Sequence, residues 1–120
     1  EGAIPTVRRL SEEYLLAIAT GRVRTTMFEG PLADLKQYFK TAVGYEDTEN
    51  HKPDPEPLLL AAEQLGVWAE ECVYIGDVEN DIKAARAAGM KSIIYSEVSI
   101  NGADFITSRF EEIPDLIKKL

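Results

Sequence analysis

The stretch Cys72-Val-Tyr-Ile-Gly-Asp-Val-Glu-Asn-Asp-Ile-Lys-Ala-Ala-Arg-Ala-Ala-Gly89 carries the reading of the fold. Val73, Tyr74 and Ile75 form a short β-favouring run, Gly76 permits a sharp bend, and an alanine-rich helical segment runs to a stop at Gly89. The pattern predicts a strand, a tight turn and a helix. The turn carries two carboxylates, Asp77 at the strand's carboxyl end and Asp81 in or near the first helical turn. In an open parallel α/β sheet that end is where ligands bind. Two carboxylates on one turn offer oxygen ligands to a hard cation such as magnesium and leave positions for water and phosphate. The plainer reading makes Asp77 an N-cap and both acids partners of the helix dipole.

Upstream, Pro5 suits the start of a helix, and Val7, Leu10 and Tyr14 recur at helical spacing. Leu15 to Ala19 is a continuous apolar run, the pattern of a strand buried on both faces. It stops at Thr20-Gly21-Arg22, ahead of a helix expected from Val23 to about Glu29. A hydroxyl at a strand end, followed by Gly and backbone amides, can hold an anion, or Thr20 can simply cap the following helix. Gly30-Pro31 breaks that helix; Leu32, Leu35, Tyr38 and Phe39 predict a short amphipathic one, and residues 41–44 a short strand.

Lys52-Pro-Asp-Pro-Glu-Pro57 follows a polar loop. Its prolines fix the backbone after Lys52 and present the ammonium from a stiff segment, whereas an ordinary solvated lysine is the alternative. Asp54 and Pro55 predict a cap and first position for a helix that carries Leu58, Ala61, Ala62 and Leu65 inward and ends at Gly66. His51, the sole histidine, reads as a surface residue. Past the central stretch, residues 91–95 predict a strand, residues 104–106 an edge strand, and Ile113, Leu116, Ile117 and Leu120 stripe a final helix begun by Pro114.

At 120 residues and 45% hydrophobic composition, the sequence predicts one domain with a modest core. A net charge of -8 argues against nucleic acid or an anionic membrane surface as partner. One cysteine, Cys72, excludes an internal disulfide and fits a reducing, cytoplasmic setting; opening an apolar strand, it reads as core. No apolar run reaches the roughly eighteen residues of a membrane span. The chain opens on Glu1, so a natural start removed or lying upstream is expected.

Thr20 after an apolar strand, Lys52 in Lys-Pro-Asp-Pro before a helix, and Gly76-Asp77 with Asp81 before a second helix resemble the second, third and fourth motifs of the haloacid dehalogenase (HAD) superfamily, closest to its phosphoglycolate-phosphatase-like branch. The resemblance implies a Rossmann-like layered α/β fold with helices on both faces of a parallel sheet. It implies a magnesium-dependent phosphatase acting on a small phosphorylated metabolite through an aspartyl-phosphate. Thr20 and Gly21 would bind a phosphoryl oxygen, Lys52 would neutralise charge around nucleophile and phosphate, and Asp77 and Asp81 would help bind magnesium. The family's first motif, which supplies the nucleophilic Asp and a central strand, has no counterpart ahead of Thr20, and the usual cap domain is missing as well. Gly21 also stands where many relatives carry Asn.

Two expectations follow. The sheet should be incomplete between the strands ending at Thr20 and Asp77, and be finished by an amino-terminal segment of a longer protein or by another chain, a second copy included. The chain by itself should be inactive; the alternative is a non-catalytic α/β module, dimeric or alone, that keeps the outline of the site. A phosphorylation-receiver domain fits poorly, because its acid cluster precedes the Thr and Lys.

Overall fold

The computed structural model describes residues 3–23, 25, 27 and 30–120. Helix α1, Ala3–Glu13, leads into strand β1, Ala17–Ala19. A 3-10 helix over Gly30–Tyr38 precedes β2, Thr41–Val43, and a shorter one over Tyr45–Asp47 follows it. Then come α2, Glu56–Leu65; β3, Val73–Gly76; α3, Glu79–Ala88; β4, Lys91–Tyr95; β5, Phe105–Thr107; and α4, Ile113–Ile117. The helix expected from Val23 to about Glu29 falls largely outside the described residues.

The central stretch folds as its pattern dictates. Gly89 closes α3 at φ 82° and Gly66 closes α2 at φ 76°, left-handed conformations that glycine adopts without a Cβ penalty. The Asp54 carboxylate accepts the Glu56 N–H at 2.9 Å, so it does cap α2, with Pro55 in the cap position one residue later than the spacing suggests. Asp77 caps nothing. The residue ahead of α3 is Val78, and the acid that folds back onto the turn is Asp81.

Side chains alternate across β3 and divide the core into two layers. Tyr74 joins Leu58 of α2 and Ala84, Ala85 and Ala88 of α3 on one face, with Ala19 and Met90 beside them. Val73 and Ile75 turn to the other face, where Leu10 of α1, Ile93 of β4 and Ile113 of α4 are buried. Helices therefore cover both faces, and the Rossmann-like layering expected from the sequence is present. Ala87 is exposed, and Cys72, expected in the core, is half-buried. Trp68 is 73% exposed at the turn before β3.

All strand pairings are parallel, but they form two sheets: β1 with β2, and β3-β4-β5. Among the described residues no strand joins them. The bonds Lys40 N–H to Leu16 O at 2.8 Å and Thr20 N–H to Val43 O at 3.0 Å show which groups of β1 face β2. By the alternation of a strand, Ala17 and Ala19 turn their N–H and C=O groups to the opposite edge. The Lys91 N–H to Cys72 O bond likewise assigns the alternate residues Val73 and Ile75 to the free edge of β3. The reading of Leu15 to Ala19 as a strand buried on both faces needs correction: β1 starts at Ala17, all three of its residues are half-buried, and Leu15 is 54% exposed. A strand with a neighbour on one side only lacks the cover that a central strand receives.

Gly76 has a packing reason rather than a conformational one. A Cβ built there would lie 2.5 Å from Asp81 Cβ, Cγ and Oδ2, whereas at Gly21 it would meet nothing within 4 Å. Gly76→Ala should therefore destabilise the domain by about 1–3 kcal/mol in chemical denaturation, as overpacking does. Gly21→Ala should stay within about 0.5 kcal/mol of wild type, as exposed substitutions do. Equal effects at the two glycines would contradict this account of the turn.

Candidate functional site

Three loops meet at the carboxyl ends of β1, β2 and β3. After β1, Thr20 is half-buried, and its Oγ1 accepts the Arg22 N–H at 3.2 Å while its own proton meets no acceptor among the described residues. Gly21 is exposed beside it. The Tyr45 N–H donates to Arg22 O at 2.9 Å, tying this turn to the loop after β2. That loop leads to Lys52, whose peptide bond to Pro53 is cis.

Lys52 is not a solvated surface lysine. Its Nζ lies 2.9 Å from Asp81 Oδ1 and donates to the Tyr74 hydroxyl at 2.8 Å, with the lysine side chain 22% and the aspartate side chain 4% exposed. Among the described residues two of three ammonium donors are thereby used, which leaves one for a ligand. Asp81 Oδ2 accepts the N–H groups of Asp77 at 2.9 Å and Val78 at 3.2 Å. The Tyr74 hydroxyl lies 3.4 Å from Asp81 Oδ1 and 3.2 Å from Ala19 O.

Thr20, Lys52 and the Asp77–Asp81 turn are thus connected through Tyr74. The two acids of the turn stand in different surroundings. Asp77 is exposed, and its carboxylate has no partner among the described residues; Asp81 is buried with donors on both oxygens. Among the described residues no group of three or more His, Cys, Asp or Glu side chains gathers as a metal site. Asp77 suits one position in a shell otherwise completed by water and phosphate, which is how magnesium is ordinarily held. Asp81, as it stands, anchors Lys52.

Tyr74 is the site residue that sequence reasoning missed. The available signal was a phenol among the apolar residues of a buried strand, where its hydroxyl requires a partner. His51, read as a surface residue, is half-buried and stacks on Tyr45 with ring centroids 4.1 Å apart at 17°.

Burial works against both charges of the pair, and the pair overcomes it. Lys52 is penalised by desolvation, yet Tyr74 and Asp81 together hold its pKa above the ordinary 10.5. Desolvation pushes the Asp81 carboxyl up, but Lys52 and the Asp77 and Val78 amides hold it below 3.8. Burial, first of all, raises the Tyr74 phenol, which stays protonated as a donor at neutral pH.

A Rossmann-like parallel domain with an acid-and-lysine cluster at its carboxyl rim is the class these features define. The chain belongs to the haloacid dehalogenase-like hydrolase family, which it matches over residues 1–95. It is 38% identical over 108 residues to pyrophosphatase PpaX of Halalkalibacterium halodurans, covering 88% of this chain and 50% of that protein. It is 45% identical over 100 residues to phosphoglycolate phosphatase of Salmonella choleraesuis, covering 75% and 40%. A HAD-superfamily hydrolase of subfamily IA from Geobacter sulfurreducens superposes with a TM-score of 0.85 at 30% identity, covering 98% of this chain and 55% of that one. The chain spans about half the length of these relatives, or less. No helix among the described residues is long and apolar enough to cross a membrane.

The sign of each shift sets a pH dependence. Asp81, lowered in the fold, contributes stability above the ordinary value of 3.8 that is lost as pH falls through its folded value. Lys52, raised in the fold, contributes stability below 10.5 that is lost as pH rises through its folded value. Asp81→Asn should flatten the acid limb of a stability-pH curve, and an unchanged acid limb would contradict the pair. Lys52→Met alone leaves a buried carboxylate unpaired, at a cost of about 3–5 kcal/mol. The double variant Lys52→Met with Asp81→Asn should recover part of that loss in urea denaturation; simple addition of the two losses would show the residues to be uncoupled.

Proposed function

We propose that this chain supplies the phosphate-binding and metal-facing half of a phosphomonoester hydrolase site. The observation behind it is the meeting of Thr20, Lys52 and the Asp77–Asp81 turn through the Tyr74 hydroxyl at one rim. The names of two relatives, a phosphoglycolate phosphatase and a pyrophosphatase, share cleavage of a bond to phosphate and support the same reading. The substrate is a small phosphorylated metabolite.

In this reading the Thr20 hydroxyl and the Gly21 amide hold a phosphoryl oxygen. Gly21 leaves the approach open, since no atom comes within 4 Å of where a Cβ would stand. The third N–H of Lys52 meets phosphate, and its charge persists because Asp81 and Tyr74 hold it protonated far above neutrality. The Asp77 carboxylate would hold magnesium, on a turn that Asp81 anchors from behind. When bound, the ion supplies charge that offsets the repulsion between an attacking carboxylate and phosphate. The nucleophile is an Asp that this chain does not contribute, carried on a strand entering between β1 and β3. Its oxygen bonds phosphorus as the leaving alkoxide departs, and water then cleaves the aspartyl-phosphate.

Isothermal titration with inorganic phosphate tests the part this chain performs. Thr20→Val should weaken binding by about tenfold, the range of one hydrogen bond to a charged group, with the circular dichroism spectrum unchanged. Unchanged affinity would remove Thr20 from the site. With p-nitrophenyl phosphate and magnesium, the chain alone should give no turnover above background. Turnover abolished by Asp77→Asn would contradict a nucleophile supplied from elsewhere.

A further inference from the structure

We propose that Tyr74 is a positioning residue, its hydroxyl holding the Lys52 ammonium in register with the turn that carries Thr20; the inference rests on the phosphate-handling reading above. The phenol oxygen accepts from Lys52 Nζ at 2.8 Å and stands 3.2 Å from Ala19 O and 3.4 Å from Asp81 Oδ1. A hydroxyl has one proton to give, so only one of those two oxygens receives it at a time. Ala19 O is the nearer. Asp81 is already supplied by Lys52 and by the Asp77 and Val78 amides. The bonds therefore run from Lys52 to Tyr74 and on to Ala19.

The Ala19 carbonyl belongs to the same peptide group as the Thr20 N–H. That N–H is bonded to Val43 O at 3.0 Å, so the carbonyl points the opposite way, to the free edge of β1. The peptide carrying Thr20 is thus held by β2 on one side and by Tyr74 on the other. Tyr74 lies on β3 and Ala19 on β1, in different sheets, so the bond also crosses the gap between them. Without the hydroxyl, Lys52 keeps the ring face, 5.3 Å from its Nζ, but Asp81 becomes its sole hydrogen-bond partner among the described residues, and the ammonium is drawn toward the carboxylate, away from Thr20. Phenylalanine preserves the ring's packing against Leu58, Ala84, Ala85 and Ala88 and so isolates the hydroxyl.

NMR of the Lys52 ammonium group in this chain is the test. Wild type should show a slowly exchanging ammonium signal with a nuclear Overhauser contact to the Tyr74 ring. Tyr74→Phe should lose that signal and weaken inorganic phosphate binding by about tenfold. Absence of the contact in wild type, a result that requires no variant to fold, overturns the proposal, as does an ammonium signal unchanged in Tyr74→Phe. Contact in wild type, signal loss on substitution and no phosphate binding by either protein together overturn the phosphate reading and leave the placing of Lys52 by Tyr74 supported.

Discussion

Strands β1 and β3 belong to different sheets, with no ladder of backbone hydrogen bonds between them among the described residues, and the architecture of the site follows from that constraint. Ala17 and Ala19 on one side, Val73 and Ile75 on the other, present backbone groups that ordinarily demand partners. The Tyr74 hydroxyl is a side-chain bond across the opening, to Ala19 O. α2 and α3 hold the two sheets together from one face through Leu58, Ala84, Ala85 and Ala88. The helix layer therefore does what a central strand would otherwise do, and it places the carboxyl ends of β1 and β3 close enough for one phenol to touch both.

A buried lysine and a buried aspartate are a poor source of net stability unless every lone pair and proton finds a partner. Asp81 meets that condition: two backbone amides on one oxygen, an ammonium and a phenol beside the other. Gly76 makes the arrangement possible, because a side chain there would collide with the carboxylate. The result is a lysine whose charge is fixed by its surroundings and whose position is fixed by two residues from the β3–α3 unit. Asp77, on the same turn, stays exposed and unpaired among the described residues, so one tight turn yields both an anchored acid and an available one.

Much of this was legible in the sequence. The parallel α/β order could be read from short apolar runs alternating with amphipathic stretches, and the helix stops from Gly66 and Gly89. Convergence of Thr20, Lys52, Asp77 and Asp81 on one rim followed from their places at strand ends. The difference in surroundings between the two acids was not legible, because it depends on which carboxylate the turn folds back onto its own amides, a matter of three-dimensional reach. Nor was Tyr74, whose neighbours in sequence, Val73 and Ile75, belong to the opposite face. The expected burial of Leu15 to Ala19 assumed cover on both faces, whereas all three residues of β1 are half-buried and, among the described residues, β1 has a strand neighbour on one side only.

Amide hydrogen exchange resolved along β1 tests the open edge most directly. Thr20 N–H is bonded to Val43 O and should exchange slowly, whereas Ala19 N–H, on the edge facing β3, should exchange orders of magnitude faster. Protection at Ala19 equal to that at Thr20 would mean that the edge is already paired, and would contradict the account.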